Sequence, residues 1–493
     1  MVAFVRTAAV VGLEPWPVTL ECWVGPGLPG TRLVGLPDAA VKEAADRAKA
    51  AVKSTGLSWP TQRIIGNLAP AEVPKAGAGF DLAFALGVLG ASGALETEHL
   101  RDVWALGELG LDGSVRPVPG TLPIASLARS RNARLLLVAD TAAVEASLIE
   151  GLAVVPVADL REAVAVLRGD EPARAAGRAP RATRPNVPDL ADVRGQAVAR
   201  RAIEIAAAGD HHVLLAGPPG CGKSMLARRL PGLLPELPVE QAMEVAAIHS
   251  VAGVRDPAAP LDHSPPYRAP HHTVSIAGLV GGGSGIARPG EISLAHAGIL
   301  FLDELLEMPR RTLDVLREPL ETGEVRITRA RASVRFPARC RLVAATNPCP
   351  CGHLGDPRAD CRCRPDRIDR YRERLSGPLL DRIDLQVTMH PVVATDLLGE
   401  SSEESTDIVR ARVVAARTRR DARRASGGRV ATPAALERLA RAIDALALSS
   451  RSFDACLRVA RTIADLDGVG LVGPEHVDEA IAHRMPVNLV GAA

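Results

Sequence analysis

Residues 217–224 read Gly217-Pro218-Pro219-Gly220-Cys221-Gly222-Lys223-Ser224, a complete phosphate-binding loop, and no other segment constrains the chain as tightly. The apolar run Val213-Leu214-Leu215-Ala216 reads as a buried strand ahead of it, and Met225 to Leu230 as a helix behind it. In that setting glycines let backbone N–H groups close around phosphates, and the helix start adds favourable partial charge. Lys223 is then expected to reach the β- and γ-phosphates of ATP, and the Ser224 hydroxyl to ligate Mg²⁺. A strand–loop–helix unit of this kind places the chain in the α/β class.

Two further strands carry matching chemistry. Ile299-Leu300-Phe301-Leu302 is apolar and delivers two adjacent carboxylates, Asp303 and Glu304, at its C-terminal end. Asp303 suits the water shell of Mg²⁺, and Glu304 suits polarising the attacking water. Strands often end in acidic residues; the pairing with the loop at 217–224 gives these two their meaning. The run Arg341 to Thr346 ends on Asn347, whose amide can meet both the γ-phosphate and the lytic water.

At 493 residues the chain is too long for one core, and about three domains are expected. Apolar residues make up 47% and charged residues 24%, as in ordinary globular proteins, while aromatics are only 2%. Cores must therefore be built from Leu, Val, Ile and Ala. A net charge of +2 excludes a uniformly basic nucleic-acid binder, so any such site is a local patch. No stretch approaches the roughly 18 apolar residues that span a bilayer, so no membrane partner is expected. Met1 to Val11 does not read as a secretory signal, and a cytoplasmic location is expected.

Four blocks separate along the chain. Residues 1–168 carry short alternating strand and helix signals. Residues 169–188 are rich in Pro, Ala and Arg and read as a flexible basic linker. The ATPase motifs occupy 189–391. Residues 392–493 include the acidic patch Glu400-Ser401-Ser402-Glu403-Glu404 and then read as helical, with Leu436, Leu439, Ile443 and Leu446 on a 3.6-type period and a second helix around Cys456 to Leu466.

Several segments resemble one family. Arg268-Ala269-Pro270-His271-His272-Thr273, Gly281-Gly282-Gly283, Pro289 to His296 and Asn347-Pro348-Cys349-Pro350-Cys351-Gly352 resemble the magnesium-chelatase-like branch of AAA+ ATPases, specifically the bacterial competence-related YifB/ComM family. The resemblance implies an AAA+ P-loop αβα core with Asn347 as sensor 1, followed by a C-terminal α-helical lid. It implies sensor 2 at Arg451, with Arg458 as the alternative. Ser376 to Asp384 resembles an arginine-finger segment, with Arg382 reaching a neighbour's γ-phosphate to stabilise transition-state charge. A lone arginine in any of these places is otherwise a surface ion pair. The family implies a homo-oligomer, a hexamer, that drives DNA branch migration as a helicase-like motor on single-stranded or branched DNA.

Gly35-Leu36-Pro37-Asp38, Asn67-Leu68-Ala69-Pro70, Pro74 to Leu82 and Gly107 to Gly113 resemble a Lon-protease-like (ribosomal-protein-S5-like) α+β domain. A Lon-type peptidase needs a nucleophilic Ser and an activating Lys. The resemblance puts Gly79 and Leu122 at those positions, so the domain lacks catalytic groups and proteolysis is not expected. The remaining rival is metal insertion into a porphyrin; likeness to that motor subunit is expected over the ATPase core and lid only.

Other segments admit two readings. Tyr267 to Gly285, with His271 and His272, reads as an insertion projecting toward a pore or as a stabilising surface loop. Val325 to Phe336 reads as a hairpin with Arg329 and Arg331 at its tip, gripping phosphates or merely solvated. The arginine run from Arg410 to Arg429 reads first as a solvated helix face and otherwise as a DNA or subunit contact. Cys349-x-Cys351 and Cys361-x-Cys363 form a candidate tetrahedral Zn²⁺ site, with His353 able to replace a thiolate. Cys22, Cys221, Cys340 and Cys456 read as buried small residues.

Overall fold

In Val2–Val11, Ala3 and Val5 point inward while Val2, Phe4 and Arg6 point to solvent, the alternation of a strand with one buried face. This strand turns at Gly12 into Glu14–Gly25 and pairs with it antiparallel, Val2 opposite Trp23. The computed structural model describes residues 1–177, 186–283, 286–328, 333–392, 403–426, 430–446 and 449–484. Arg329, Arg331, Arg429, the 400–402 part of the acidic patch and the middle of the expected linker lie outside the described residues.

The hairpin belongs to a seven-stranded mixed sheet. Its order is Gly30–Val34, Arg63–Ala69, Glu14–Gly25, Val2–Val11, Val103–Leu106, Leu135–Ala139 and Val154–Val157. The helix Asp81–Ala91 is buried along its whole length, as its all-round apolar sequence requires. Asp81 opens it with a carboxylate that is fully buried. Arg47 donates to that carboxylate from Nε at 2.6 Å and Nη2 at 3.0 Å, and the Leu109 backbone N–H at 3.1 Å. Burial pushes the Asp81 carboxyl up from its ordinary value, and the Arg47 contact pulls it back.

A second, five-stranded sheet lies further along the chain. Its order is Tyr267–Arg268, Ile299–Leu302, Arg341–Thr346, Val213–Ala216 and Leu385–Thr388, all parallel, consistent with an AAA+ core. Alternate residues feed opposite faces: Leu214, Leu300, Leu302, Leu342 and Ala344 join one apolar cluster, while Val213, Leu215, Ile299, Phe301 and Val343 join another. Burial on both faces explains why these strands read as unbroken apolar runs. The helices Thr406–Ser426, Pro433–Ala445, Ser450–Leu466 and Pro474–Ala482 share the second cluster with helix Ala197–Gly209.

Two sequence expectations shift here. The helix after the phosphate loop is only Lys223–Ala227, and a separate short helix, Leu230–Leu233, follows with Pro231 in its first turn. Of the expected apolar stripe, Leu439 is buried but Leu436 and Leu446 are exposed; Ala435 takes the inward place, because a small side chain fits the close approach of neighbouring helices. The hairpin before Arg341 is present, pairing Glu324–Thr328 with Ser333–Pro337.

The two sheets are joined by polar contacts. Gly120 N donates to Ser250 O at 3.1 Å, Glu145 N to Pro257 O at 3.1 Å, and Arg255 meets Glu145 at 3.9 Å with both side chains buried. The Val334 side chain lies against Gly12.

Arg47→Ala would leave Asp81 buried without its charge partner, at a cost of about 3 kcal/mol. All four tryptophans lie at 16, 23, 59 and 104, so denaturant unfolding followed by tryptophan fluorescence reports this part alone. The midpoint should fall clearly; an unchanged midpoint would mean the pair contributes nothing.

Candidate functional site

The loop 217–224 leaves the C-terminal end of Val213–Ala216, which has a parallel neighbour on each side. In chain order the sheet runs second, third, fourth, first, fifth. The first strand therefore stands where connections depart in opposite directions, the position at which open α/β sheets bind ligands. Gly217 cannot carry a side chain, because a Cβ would lie 2.5 Å from the Met389 carbonyl oxygen. Gly220 and Gly222 adopt φ of +76° and +95°, which glycine takes without strain.

The structure brings five of the expected residues together. Lys223 Nζ donates to Gly217 O at 2.6 Å, Pro218 O at 3.0 Å and Asn347 Oδ1 at 3.1 Å. Burial lowers its pKa, opposed by Cys221 and Asp303. Ser224 Oγ donates to Asp303 Oδ2 at 2.6 Å, and Glu304 N donates to Asp303 Oδ1 at 2.9 Å. A hydroxyl and a carboxylate in contact are the oxygen donors a hard cation such as Mg²⁺ takes, so these residues fit that ion. Gln196 ties the loop in place, its Nε2 donating to Cys221 O at 3.2 Å and His390 O at 2.5 Å.

Glu304 has φ of +50°, a left-handed conformation that costs a non-glycine residue of order 1 kcal/mol. Its carboxylate meets His272 Nδ1 at 2.8 Å. Within the segment read as an insertion or a surface loop, His272 contacts the carboxylate expected to polarise water. The adjacent histidine pair was the only available signal, and pattern alone does not say which strand end it reaches.

Three arginines gather elsewhere. Arg382 precedes Leu385–Thr388, and Leu385 is level with Val213 at the start of the first strand. A four-residue strand rises ~13 Å, so Arg382 lies at the opposite end of the sheet from the phosphate loop. Glu321 accepts from Arg382 Nη2 and, at 3.3 Å, from Arg451 Nη2. The Arg382 contact holds the Glu321 carboxyl below its ordinary range. Arg458 pairs with Asp384 at 3.1 Å. All three line one cavity of about 380 Å³ with Glu321, Asp384 and Asp454, and none is brought to Lys223. Glu321 is a second residue that the sequence reading missed.

Part of the basic run is turned onto the core, while Arg419 and Arg424 are exposed, as a solvated helix face requires. Arg417 and Arg420 both bond Asp210, Arg412 spans Glu204 and Glu404, and Arg423 pairs with Asp465. Burial alone would raise the Asp210 carboxyl, but Arg341, Arg417 and Arg420 hold it well below its usual range. The arginines staple helix Thr406–Ser426 onto the core, which a charge count cannot distinguish from exposure.

Cys349, Cys351, Cys361 and Cys363 converge, with their sulfurs all within 4.8 Å of one another. His353 is not needed; it faces Asp356 at 3.6 Å. Cys22, Cys221, Cys340 and Cys456 are buried, as expected. In the N-terminal part, Gly79 lies across from Val118 in a cleft of about 670 Å³, and Leu122 is buried. None of the described residues lining the cleft is Ser, Thr, Cys or Lys.

Comparison with known proteins places this geometry. A model described as "Magnesium chelatase, subunit ChlI" matches residues 189–397, and its C-terminal counterpart matches 403–484. An uncharacterised protein of Mycobacterium tuberculosis is 46% identical over 97% of each chain. The YifB protein of Salmonella typhimurium is 42% identical over 98% of this chain and 97% of its own, and the protein named "Competence protein ComM" of Haemophilus influenzae is 41% identical over 99% and 98%. The chain belongs to the YifB/ComM family of magnesium-chelatase-like AAA+ proteins. That membership supports ATPase activity and, as in AAA+ proteins generally, oligomeric assembly. A model described as "Subunit ChlI of Mg-chelatase" matches residues 20–142, while the magnesium-chelatase 38 kDa subunit of Rhodobacter capsulatus is 29% identical over 55% of this chain and 80% of its own. No described helix is long and apolar enough to cross a membrane.

Glu304→Gln should keep nucleotide affinity and lower turnover by at least about a hundredfold, since an amide fits the site but cannot polarise water. Lys223→Ala should lose affinity itself. Fluorescent-nucleotide titration beside a phosphate-release assay separates the two; wild-type turnover by Glu304→Gln would remove that residue from the chemistry.

Proposed function

We propose that this protein is an ATP-hydrolysing ring motor, a hexamer, that moves along DNA and drives branch migration during recombination of incoming DNA. The observation that carries the ATPase half is the contact set Lys223–Asn347 and Ser224–Asp303–Glu304 at one end of a parallel sheet. Lys223 would exchange its loop carbonyls for the β- and γ-phosphates. Mg²⁺, held by Ser224 and Asp303, would neutralise phosphate charge. Glu304 would polarise the attacking water, with His272 orienting its carboxylate, and Asn347 would register the γ-phosphate.

Arg382 stands at the far end of the sheet, so it would complete the site of a neighbouring copy. Arg451 shares Glu321 with it and would face the same neighbour. On this reading residues 189–391 are the AAA+ core, 392–493 the lid, and 1–168 a Lon-protease-like domain without catalytic groups, joined by the linker 169–188. A nucleotide site together with clustered thiols of metal-ligand spacing supports a cytoplasmic location.

The DNA half rests on near-full-length likeness to a protein named for competence. A chelatase motor subunit or a protein-remodelling ATPase is the other reading, favoured by the matched chelatase descriptions. ATP turnover measured with no nucleic acid and with single-stranded, duplex and branched DNA distinguishes them. Strong stimulation by branched DNA is expected; indifference to all DNA would overturn the motor reading. Neither casein nor peptide should be cleaved, with or without ATP, and cleavage abolished by Lys223→Ala would make proteolysis the better account.

A further inference from the structure

The wall of the phosphate loop opposite Lys223's own helix is built by the cysteine segment. Strand Arg341–Thr346 ends with the Thr346 carbonyl accepting from Gly217 N at 3.2 Å. The next residue, Asn347, places its amide oxygen on Lys223, and Cys349 follows two residues later. Gly352, with φ of +84°, lies so close to Pro219 that a Cβ there would sit 2.7 Å from the proline ring and 4.0 Å from Asn347 Cγ. One short segment therefore touches both the phosphate loop and the residue that faces the γ-phosphate.

The same segment carries the four thiols. Cys349 and Cys351 sulfurs are 3.4 Å apart, and each is 3.7 Å from the Cys361 sulfur. A tetrahedron with Zn–S bonds of about 2.3 Å has edges of about 3.8 Å, close to these separations. A disulfide would need about 2.05 Å. The donor set is all sulfur, which selects a soft or borderline cation and excludes Mg²⁺.

We propose that Cys349, Cys351, Cys361 and Cys363 bind one Zn²⁺, and that this ion positions the nucleotide site by anchoring Asn347 and the wall behind Pro219. The coupling half rests on the nucleotide-site reading above. Binding deprotonates the thiols and releases their protons to solvent, with no change of oxidation state. The bound ion fixes the chain two residues beyond Asn347, so its loss frees the amide without removing any group that touches phosphate. A small misplacement of that kind reduces turnover more than affinity.

Purified full-length protein should contain about one zinc per chain by elemental analysis. A Cys361→Ser, Cys363→Ser double variant should lose the metal and fall in turnover by about tenfold to a hundredfold, while fluorescent-nucleotide affinity changes far less. If that variant misfolds by circular dichroism, wild-type protein stripped with a chelator and then assayed with excess MgCl₂ decides the matter: turnover should be low with MgCl₂ alone and return when ZnCl₂ is added beside it. Lys223→Ala should lose nucleotide and keep its zinc; retained nucleotide binding would overturn the nucleotide-site reading. A wild-type protein that neither contains nor takes up zinc, or zinc-free protein with unchanged turnover, would overturn this proposal alone.

Discussion

Parallel strands present all their C-terminal ends on one edge of a sheet and all their N-terminal ends on the other. The first edge collects the loops that grip phosphate; here it holds Lys223, Ser224, Asp303, Glu304 and Asn347 in a chain of direct contacts. The second edge holds Arg382, Arg451 and Arg458 around Glu321 and Asp384. Among the described residues, these arginines bond Glu321, Asp384 and Pro378 rather than residues of the first edge, a strand length of ~13 Å away. On the proposed reading, a site that uses both sets takes its arginines from another copy, and a ring is the closed arrangement in which every copy does so.

Much of this was legible in the sequence because the chemistry imposes local patterns. A loop that surrounds phosphate needs glycines where a Cβ would collide, and Gly217 against Met389 is such a place. Buried strands need apolar runs, so 213–216, 299–302 and 341–346 announced themselves, each ending on its polar group. What was not legible depends on which distant segments meet. His272 on Glu304 and Glu321 between two arginines are contacts made across 32 and 61 residues or more, and no local pattern records them.

The arginine run at 410–424 illustrates the same limit from the other side. A helix rich in like charge reads as solvated or as a nucleic-acid face. Asp210, at the end of helix Ala197–Gly209, turns part of it inward by taking Arg417 and Arg420 together with Arg341. The inward arginines hold this helix on the core, and Arg419 and Arg424 remain exposed on it. Among the described residues, the cleft of the N-terminal sheet is lined by no Ser, Thr, Cys or Lys, and that part of the chain meets the ATPase core through Gly120, Glu145 and Arg255.

The central claim is that one catalytic site is shared by two copies, and subunit mixing tests it most directly. Lys223→Ala has an intact arginine edge and a broken phosphate edge; Arg382→Ala has the reverse. Each alone should hydrolyse almost no ATP. Mixed in varying ratios, they should regain partial turnover from the junctions that pair an intact phosphate edge with an intact Arg382. Mixtures that stay inactive at every ratio despite forming joint oligomers, or Arg382→Ala turning over at the wild-type rate alone, would contradict the account.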